Sequence, residues 1–209
     1  MGEMISIIAH QWKQPLNFLS MVNMNLKRMH TEDKNSTMLI VESNKQIEYM
    51  STTIDSFRDF YNPSKQKEEF STESALKNVL TIVSSALESA KISIHTDIIK
   101  DFNLYGNKNE FEQVLLNLIN NAKDALIERK IESPQIEIHI NRQELHVKDN
   151  AQGISKEHLS KIFDPYFSTK KNSDGIGLYI SKMIIEQELE GKLTLRSDKH
   201  GSDFHIEFK

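Results

Sequence analysis

A histidine lies in the string Ile8-Ala9-His10-Gln11-Trp12-Lys13-Gln14-Pro15-Leu16. An imidazole turned to solvent on a helix is a nitrogen nucleophile for any electrophile that can reach it. About a hundred residues later comes Asn117-Leu118-Ile119-Asn120-Asn121-Ala122. Asn117 and Asn121 stand four apart, on one helix face. Their amide oxygens suit Mg2+, which prefers oxygen ligands and bridges phosphates while keeping several waters. Asp149-Asn150-Ala151-Gln152-Gly153 ends a strand and opens a turn. A carboxylate there can accept the exocyclic amine of adenine, where guanine presents a carbonyl. Gly153 lets backbone approach the base. Asp174-Gly175-Ile176-Gly177-Leu178 opens a helix, so its N–H groups and dipole face phosphate. The stretch Phe163–Ser173 before it has no period and reads as a lid, from which Lys170 or Lys171 reaches the phosphates. Each segment has an ordinary structural reading when taken alone. Their joint occurrence in this order points to movement of the γ-phosphate of ATP onto the chain's own histidine.

The elements that must position these groups fall into two parts. In the first, Ile5, Ile8, Trp12, Pro15, Leu19, Val22, Leu26 and Met29 alternate spacings of three and four, the mark of a helical seam. A polar break at His30–Ser36 precedes a second such series: Ile40, Ser43, Ile47, Met50, Ile54, Phe57 and Tyr61. The first helix spans about 28 residues, roughly 40 Å, and the short break makes the pair antiparallel. Met4, Ile7, Leu16, Phe18 and Met21 widen the apolar face beyond one seam. Two such hairpins packed as a four-helix bundle would cover it, which predicts a homodimer. His10 is two residues from both Ile8 and Trp12, so it points about 200° away from each and faces solvent. Pro15 deprives the Gln11 carbonyl of its helical partner and should kink the helix beside His10.

Asn62-Pro63 and the polar run after it end the second helix and place the boundary near residues 63–68, giving units of 1–65 and 66–209. Beyond it the pattern predicts helices at about 72–90, 109–129, 156–162 and 176–190. Strands are expected at 92–98, 135–141, 144–148, 192–197 and 203–208. Such a series gives an α+β sandwich with helices on one face of a mixed sheet. The fold class is therefore α followed by α+β.

The chain has 209 residues, 38% hydrophobic and 27% charged, with a net charge of −4, which fits a soluble globular protein. No Lys/Arg cluster is dense enough for nucleic-acid binding as the main task. There is no cysteine, so disulfides and thiolate metal sites are excluded. No apolar run reaches the roughly 18–20 residues that span a bilayer. The helical pattern is already running by Met4 without a cap, so we expect the chain to be a cytoplasmic piece of a longer protein, tied to a membrane, if at all, only through a part upstream.

Taken together, these segments resemble the sensor histidine kinases of two-component systems across nearly the whole chain. The string around His10 resembles their H-box, and Asn117–Ala122 the N-box. Asp149–Gly153 resembles the G1 box, Phe163–Phe167 the F-box and Gly175–Leu178 the G2 box. The resemblance implies a dimerisation and phosphotransfer hairpin followed by an ATP-binding domain of the Bergerat type. It implies ATP and Mg2+ as ligands and a response-regulator receiver domain as partner. His10 is then the phosphoacceptor, Asn121 the foremost Mg2+ ligand with Asn117 beside it, and Asp149 the adenine reader. Gly201-Ser202-Asp203-Phe204 is similar to the family's closing Gly-Thr-x-Phe, which would put Ser202 with Asp149.

The sequence also departs from the family. Gln11 stands where many members have an acid after the histidine. It cannot take a proton, though its oxygen can hold Nδ1–H and leave Nε2 free. Gln14 replaces the Thr or Asn linked to phosphatase activity and could orient a water. Ala151 and Gln152 occupy positions where glycine is frequent. Ser173-Asp174 replaces the first glycine of the G2 box, and the lid looks short. These departures keep two alternatives in view: a pseudokinase or phosphatase-biased scaffold, and another ATPase or serine kinase using the same pocket.

Overall fold

Ile136, Ile138 and Ile140 alternate with polar residues along one strand, and Leu145 and Val147 do so along the next. This period of two puts the apolar set on one sheet face, where it is fully buried. The computed structural model describes residues 16–26, 37–41, 43, 44, 47, 50, 66–170 and 175–209. They fall in two compact units, Met1–Lys65 and Gln66–Lys209.

In the first unit, helix α1 is described over 16–26 and helix α2 over 37–41. Asn23 Nδ2 donates to Ser43 Oγ at 2.7 Å and to Asn44 Oδ1 at 3.2 Å, which ties the two helical stretches side by side. Leu16 and Ile40 are buried, whereas Phe18, Leu19, Met21 and Met24 are exposed. Phe18 and Met21 thus lie on an uncovered apolar face, as the sequence suggests. Leu16 is buried, and Leu19, expected on the seam, is exposed in the single chain. Leu16 and Asn23 stand one heptad apart, on one helix face. His10, Gln11, Gln14 and the kink at Pro15 lie outside the described residues.

The second unit runs β1 (Glu68–Ser71), α3 (Thr72–Ser89), β2 (Ser93–Lys100), β3 (Asn103–Gly106), α4 (Lys108–Glu128), β4 (Gln135–Asn141), β5 (Glu144–Asp149), α5 (Lys156–Leu159), α6 (Gly177–Met183), β6 (Lys192–Asp198) and β7 (Gly201–Glu207). Five strands form a mixed sheet in the order β2-β4-β5-β7-β6. Only β2 and β4 are parallel; the other pairs are antiparallel. Helices α3, α4 and α6 supply the layer over the apolar face. Their buried residues include Leu76, Val79, Phe111, Leu115, Leu118, Ile119 and Ile180. Each fully buried side chain of this size is worth about 1.5–3 kcal/mol relative to exposure, and this layer is what fixes the helices on the sheet.

The helix starts are specified locally. Ser71 Oγ accepts from Ser74 N at 3.0 Å at the start of α3, and Asn107 Oδ1 accepts from Glu110 N at 3.1 Å at the start of α4. Asp101 reinforces the first: its carboxylate accepts from Ser71 Oγ, Thr72 Oγ1 and Glu73 N at 2.6, 2.7 and 2.9 Å. Burial pushes this carboxyl up, but those three hydrogen bonds and one from the Phe102 N–H outweigh it and leave its pKa lowered.

Three features depart from the sequence expectation. Strands β1 and β3 pair in a separate two-stranded sheet that the pattern did not announce. Helix α5 is a single turn, followed by successive turns through Lys161, Asp164 and Phe167; Pro165, which cannot donate and biases Asp164 away from helix, keeps the chain from winding further. The helix expected over 176–190 is α-helical only to Met183 and widens to a π-helix at Ile184–Glu188. There Ile184 and Ile185 are both buried, although adjacent helical residues point about 100° apart. Among the described residues, no helix is long and apolar enough to cross a membrane.

Candidate nucleotide site

Helix α4 presents Asn117, Asn121 and Ala125 along one stripe, and the end of β5 presents Asp149 beside it. Together with the loop after α5 and the start of α6 they enclose a cleft of about 480 Å³. Asn117, Asn121, Asp149, Gly153, Lys170, Gly175, Gly177, Leu178 and Ser202 all line it. Asn117 and Gly177, far apart in sequence, thus meet here because α4 and α6 pack together on the sheet.

Asp149 is the most constrained of them. Its Oδ1 accepts from Ala151 N at 2.9 Å and from Ser202 N at 3.3 Å. The second bond exists because Asp149 and Ser202 are register partners across β5 and β7. Burial raises the Asp149 pKa; the hydrogen bonds from the Ala151 and Ser202 N–H groups, the Arg129 charge and the Ser202 hydroxyl oppose the rise without cancelling it. Arg129 caps the C-terminus of α4 and donates from Nη1 to the Ala151 carbonyl, tying α4 to the turn after β5.

Asn117 Nδ2 donates to Ser181 Oγ of α6 at 2.9 Å, and its Oδ1 takes a long 3.4 Å contact from Asn121 Nδ2. A Cβ on Gly177 would fall onto the Asn117 side chain, so the glycine is what allows α6 to start this close to α4. Gly175 has φ of +65° and packs against the Phe167 backbone, where a side chain has neither a favourable conformation nor room. Lys170 Nζ donates to Asn121 Oδ1 at 3.1 Å and to Asp124 Oδ2 at 2.9 Å. A cation therefore sits against the oxygen assigned to a metal, with a carboxylate beside it. This arrangement of one neutral oxygen, one carboxylate and neighbouring Asn117 is a donor set that suits Mg2+. Residues 171–174, including Lys171, lie outside the described residues.

Sequence reasoning missed Asp124, which holds Lys170 beside the cleft, and several residues that line it. Asp124 stands three residues after Asn121, one turn further on the same face, so helix phase could have found it. His158 and Phe167, in ring contact at 5.4 Å, also line the cleft. Arg129 gave no signal, since nothing local marks a helix-ending arginine for a turn 22 residues away.

Residues 106–209 match the family model described as histidine kinase-, DNA gyrase B-, and HSP90-like ATPase. The two-component sensor PprA of Pseudomonas aeruginosa is 28% identical over 220 residues, which cover 99% of this chain and 24% of the relative. The signal transduction histidine-protein kinase AtoS of Escherichia coli is 27% identical over 188 residues, 88% of this chain and 31% of that protein. The chain thus spans only about a quarter to a third of the length of these two relatives. Among solved structures, the catalytic domain of histidine kinase ThkA superposes with a TM-score of 0.58 at 27% identity, covering 68% of this chain and 97% of that one. A structure of ThkA in complex with response regulator protein TrrA has a TM-score of 0.63 at 21% identity, covering 99% of this chain and 61% of that one, which speaks to fold alone.

Proposed function

We propose that this chain, which belongs to the two-component sensor histidine kinases through its ATPase unit and its relatives, is an ATP-dependent protein-histidine kinase that phosphorylates its own His10. The observation that carries the reading is the convergence of Asn117, Asn121, Asp149, Lys170, Gly177 and Ser202 on one cleft. Adenine would stand against Asp149, whose carboxylate is oriented by backbone N–H groups and Ser202 and cannot swing away. The phosphates would lie towards Lys170 and the start of α6, whose first N–H groups have no helical partner. Asn121, with Asp124 beside it, would hold Mg2+, which neutralises charge on the transferring phosphoryl group when bound.

In the proposed reaction, Nε2 of His10 attacks the γ-phosphorus, the bond to the β-phosphate oxygen breaks, and ADP leaves. Gln11 holds Nδ1–H through its amide oxygen, so the imidazole attacks as the neutral tautomer with Nε2 free. The first unit dimerises through the face that exposes Phe18, Leu19, Met21 and Met24. The phosphoryl group then passes to an aspartate of a response-regulator receiver domain, a reading supported by the regulator complex of the structural neighbour. Gln14, four residues after His10, would orient a water for hydrolysis of the phosphoryl group on the regulator.

Incubation with γ-labelled ATP and Mg2+ tests the reading. Acid-labile, alkali-stable label on the wild type that is absent from His10→Ala is expected. Label that persists in His10→Ala rejects the assignment. Acid-stable label would favour a serine kinase, and phosphate release without labelling an ATPase.

A further inference from the structure

The sheet face opposite α3, α4 and α6 carries a row of histidines. His139 on β4 is the register partner of His146 on β5, and His146 is the partner of His205 on β7. Side chains in register on antiparallel strands share one face and lie within reach of each other. The rings of His146 and His205 are parallel, with centroids 4.2 Å apart and an interplanar angle of 6°. Glu144, two residues before His146 on the same face, completes a cluster: one ligand atom from each of Glu144, His146 and His205 lies within 4.8 Å of the others.

Two further observations give this cluster chemical direction. His146 Nδ1 lies 2.9 Å from Asp203 Oδ1. A carboxylate on Nδ1 fixes the tautomer and leaves the Nε2 lone pair free, which is how metal-bound imidazoles are ordinarily oriented. His205 Nε2 is buried and has no hydrogen-bond partner. A buried ring nitrogen left without a partner loses its hydration for nothing in return, and a coordinated ion would satisfy it.

We propose that Glu144, His146 and His205 form a metal site for a first-row divalent ion, with Zn2+ the ion the ligand set suits, and that Asp203 is the residue orienting His146. Two imidazoles and one carboxylate, with a fourth position to solvent, match the open three-ligand sites in which Zn2+ is found; the hard cations Mg2+ and Ca2+ prefer all-oxygen sites. The stacked rings require one adjustment: rotation of His205 about its Cβ–Cγ bond, so that its lone pair converges with that of the anchored His146. The ion would tie β5 to β7, the two strands whose paired residues Asp149 and Ser202 line the nucleotide cleft. This site is separate from the Asn121 oxygen, lies on the opposite sheet face and does not depend on the kinase reading.

The test is titration of the whole nucleotide-free chain with ZnCl2 in a non-coordinating buffer, followed by calorimetry and by competition with a chromophoric chelator. Binding of one ion per chain is expected, with a rise in Tm on saturation. His146→Gln and His205→Gln should each weaken it at least tenfold, and Asp203→Asn by about 10–100-fold, the usual loss for a partner of a ligating histidine. His139→Gln should leave the affinity within a few-fold. Glu144→Gln, at an exposed strand end, provides a ligand variant that does not disturb the core. Zn2+ binding undiminished in the His146→Gln/His205→Gln double variant, or no binding at all to the wild type, overturns the proposal.

Discussion

Lys170 Nζ lies 3.1 Å from Asn121 Oδ1, so the lid's ammonium rests on the oxygen that the sequence pattern assigns to a metal. Asp124 holds it there at 2.9 Å. On the proposed reading, the ammonium and a divalent ion would compete for one oxygen, so nucleotide and Mg2+ would displace Lys170 and free it for the phosphates. Lys170→Met removes the competitor and the phosphate contact together. Mg2+ should half-saturate nucleotide binding at a lower concentration, while ATP itself binds about tenfold more weakly, the loss of one charge-assisted hydrogen bond. Fluorescent-nucleotide titrations at several Mg2+ concentrations separate the two effects. An unchanged Mg2+ midpoint would show that the Lys170–Asn121 contact plays no part in metal entry.

Asp149→Asn separates binding from folding. The carboxylate is desolvated, and the folded chain holds its proton more tightly than the unfolded chain does. The folded state therefore binds more protons between the ordinary aspartate value and the raised one, and stability falls as pH rises through that window. An amide keeps an oxygen for the Ala151 and Ser202 N–H groups without a buried charge. The variant should show an undiminished Tm at neutral pH, a flatter stability profile across that window, and ATP affinity reduced by about a hundredfold or more. Calorimetry with ATP, alongside thermal melts from pH 4 to 7, checks all three. A lower Tm at pH 7 would mean that the charge is needed for the turn rather than for adenine.

How much of this was legible in the sequence depends on how local the signal was. The long α4 helix and strands β4 and β5 carry full periods of buried residues, and their ranges are visible from alternation alone. Strands β1 and β3 are four residues each, with one or two buried positions, too few for any period to show. The cleft residues were found because each sits in a short motif with its own chemistry. Arg129 on Ala151, Lys170 on Asp124 and Asn117 on Ser181 are created by packing between distant elements and leave no local trace. The histidine row is of the same kind: positions 139, 146 and 205 become neighbours only through strand register.

Gly177→Ala probes the approach of α6 to α4. The added methyl would meet the Asn117 side chain, which is itself held to Ser181. Either Asn117 swings away or the start of α6 shifts. In a helix interior the same change would stabilise by about 1 kcal/mol. The clash should cancel that gain here, so we expect a Tm no higher than wild type. ATP affinity should fall about tenfold or more, since the helix N-terminus and Asn117 both move. A variant that gained stability and kept its affinity would show that the contact is slack.

Asp101→Asn tests the corner that sets α3 on the sheet. Its carboxylate takes hydrogen bonds from Ser71, Thr72 and Glu73 at the helix N-terminus. Although burial pushes its pKa up, those bonds and the Phe102 N–H hold it below the ordinary value. The unfolded chain therefore binds more protons between the lowered and the ordinary value. The stabilisation is full above the ordinary aspartate value and is lost as pH falls through the lowered one. An amide keeps the acceptor geometry on one oxygen but loses the charge and turns a donor towards either Ser71 or Thr72. The expected cost is about 1–2 kcal/mol at pH 7, comparable to loss of a helix cap, or a Tm lower by a few degrees. Denaturant melts of wild type and variant at pH 7 and stepwise down to pH 3 check this. The gap between them should be constant at higher pH and close as the wild-type carboxylate takes up its proton. A gap that stayed open in acid would assign the effect to shape rather than charge.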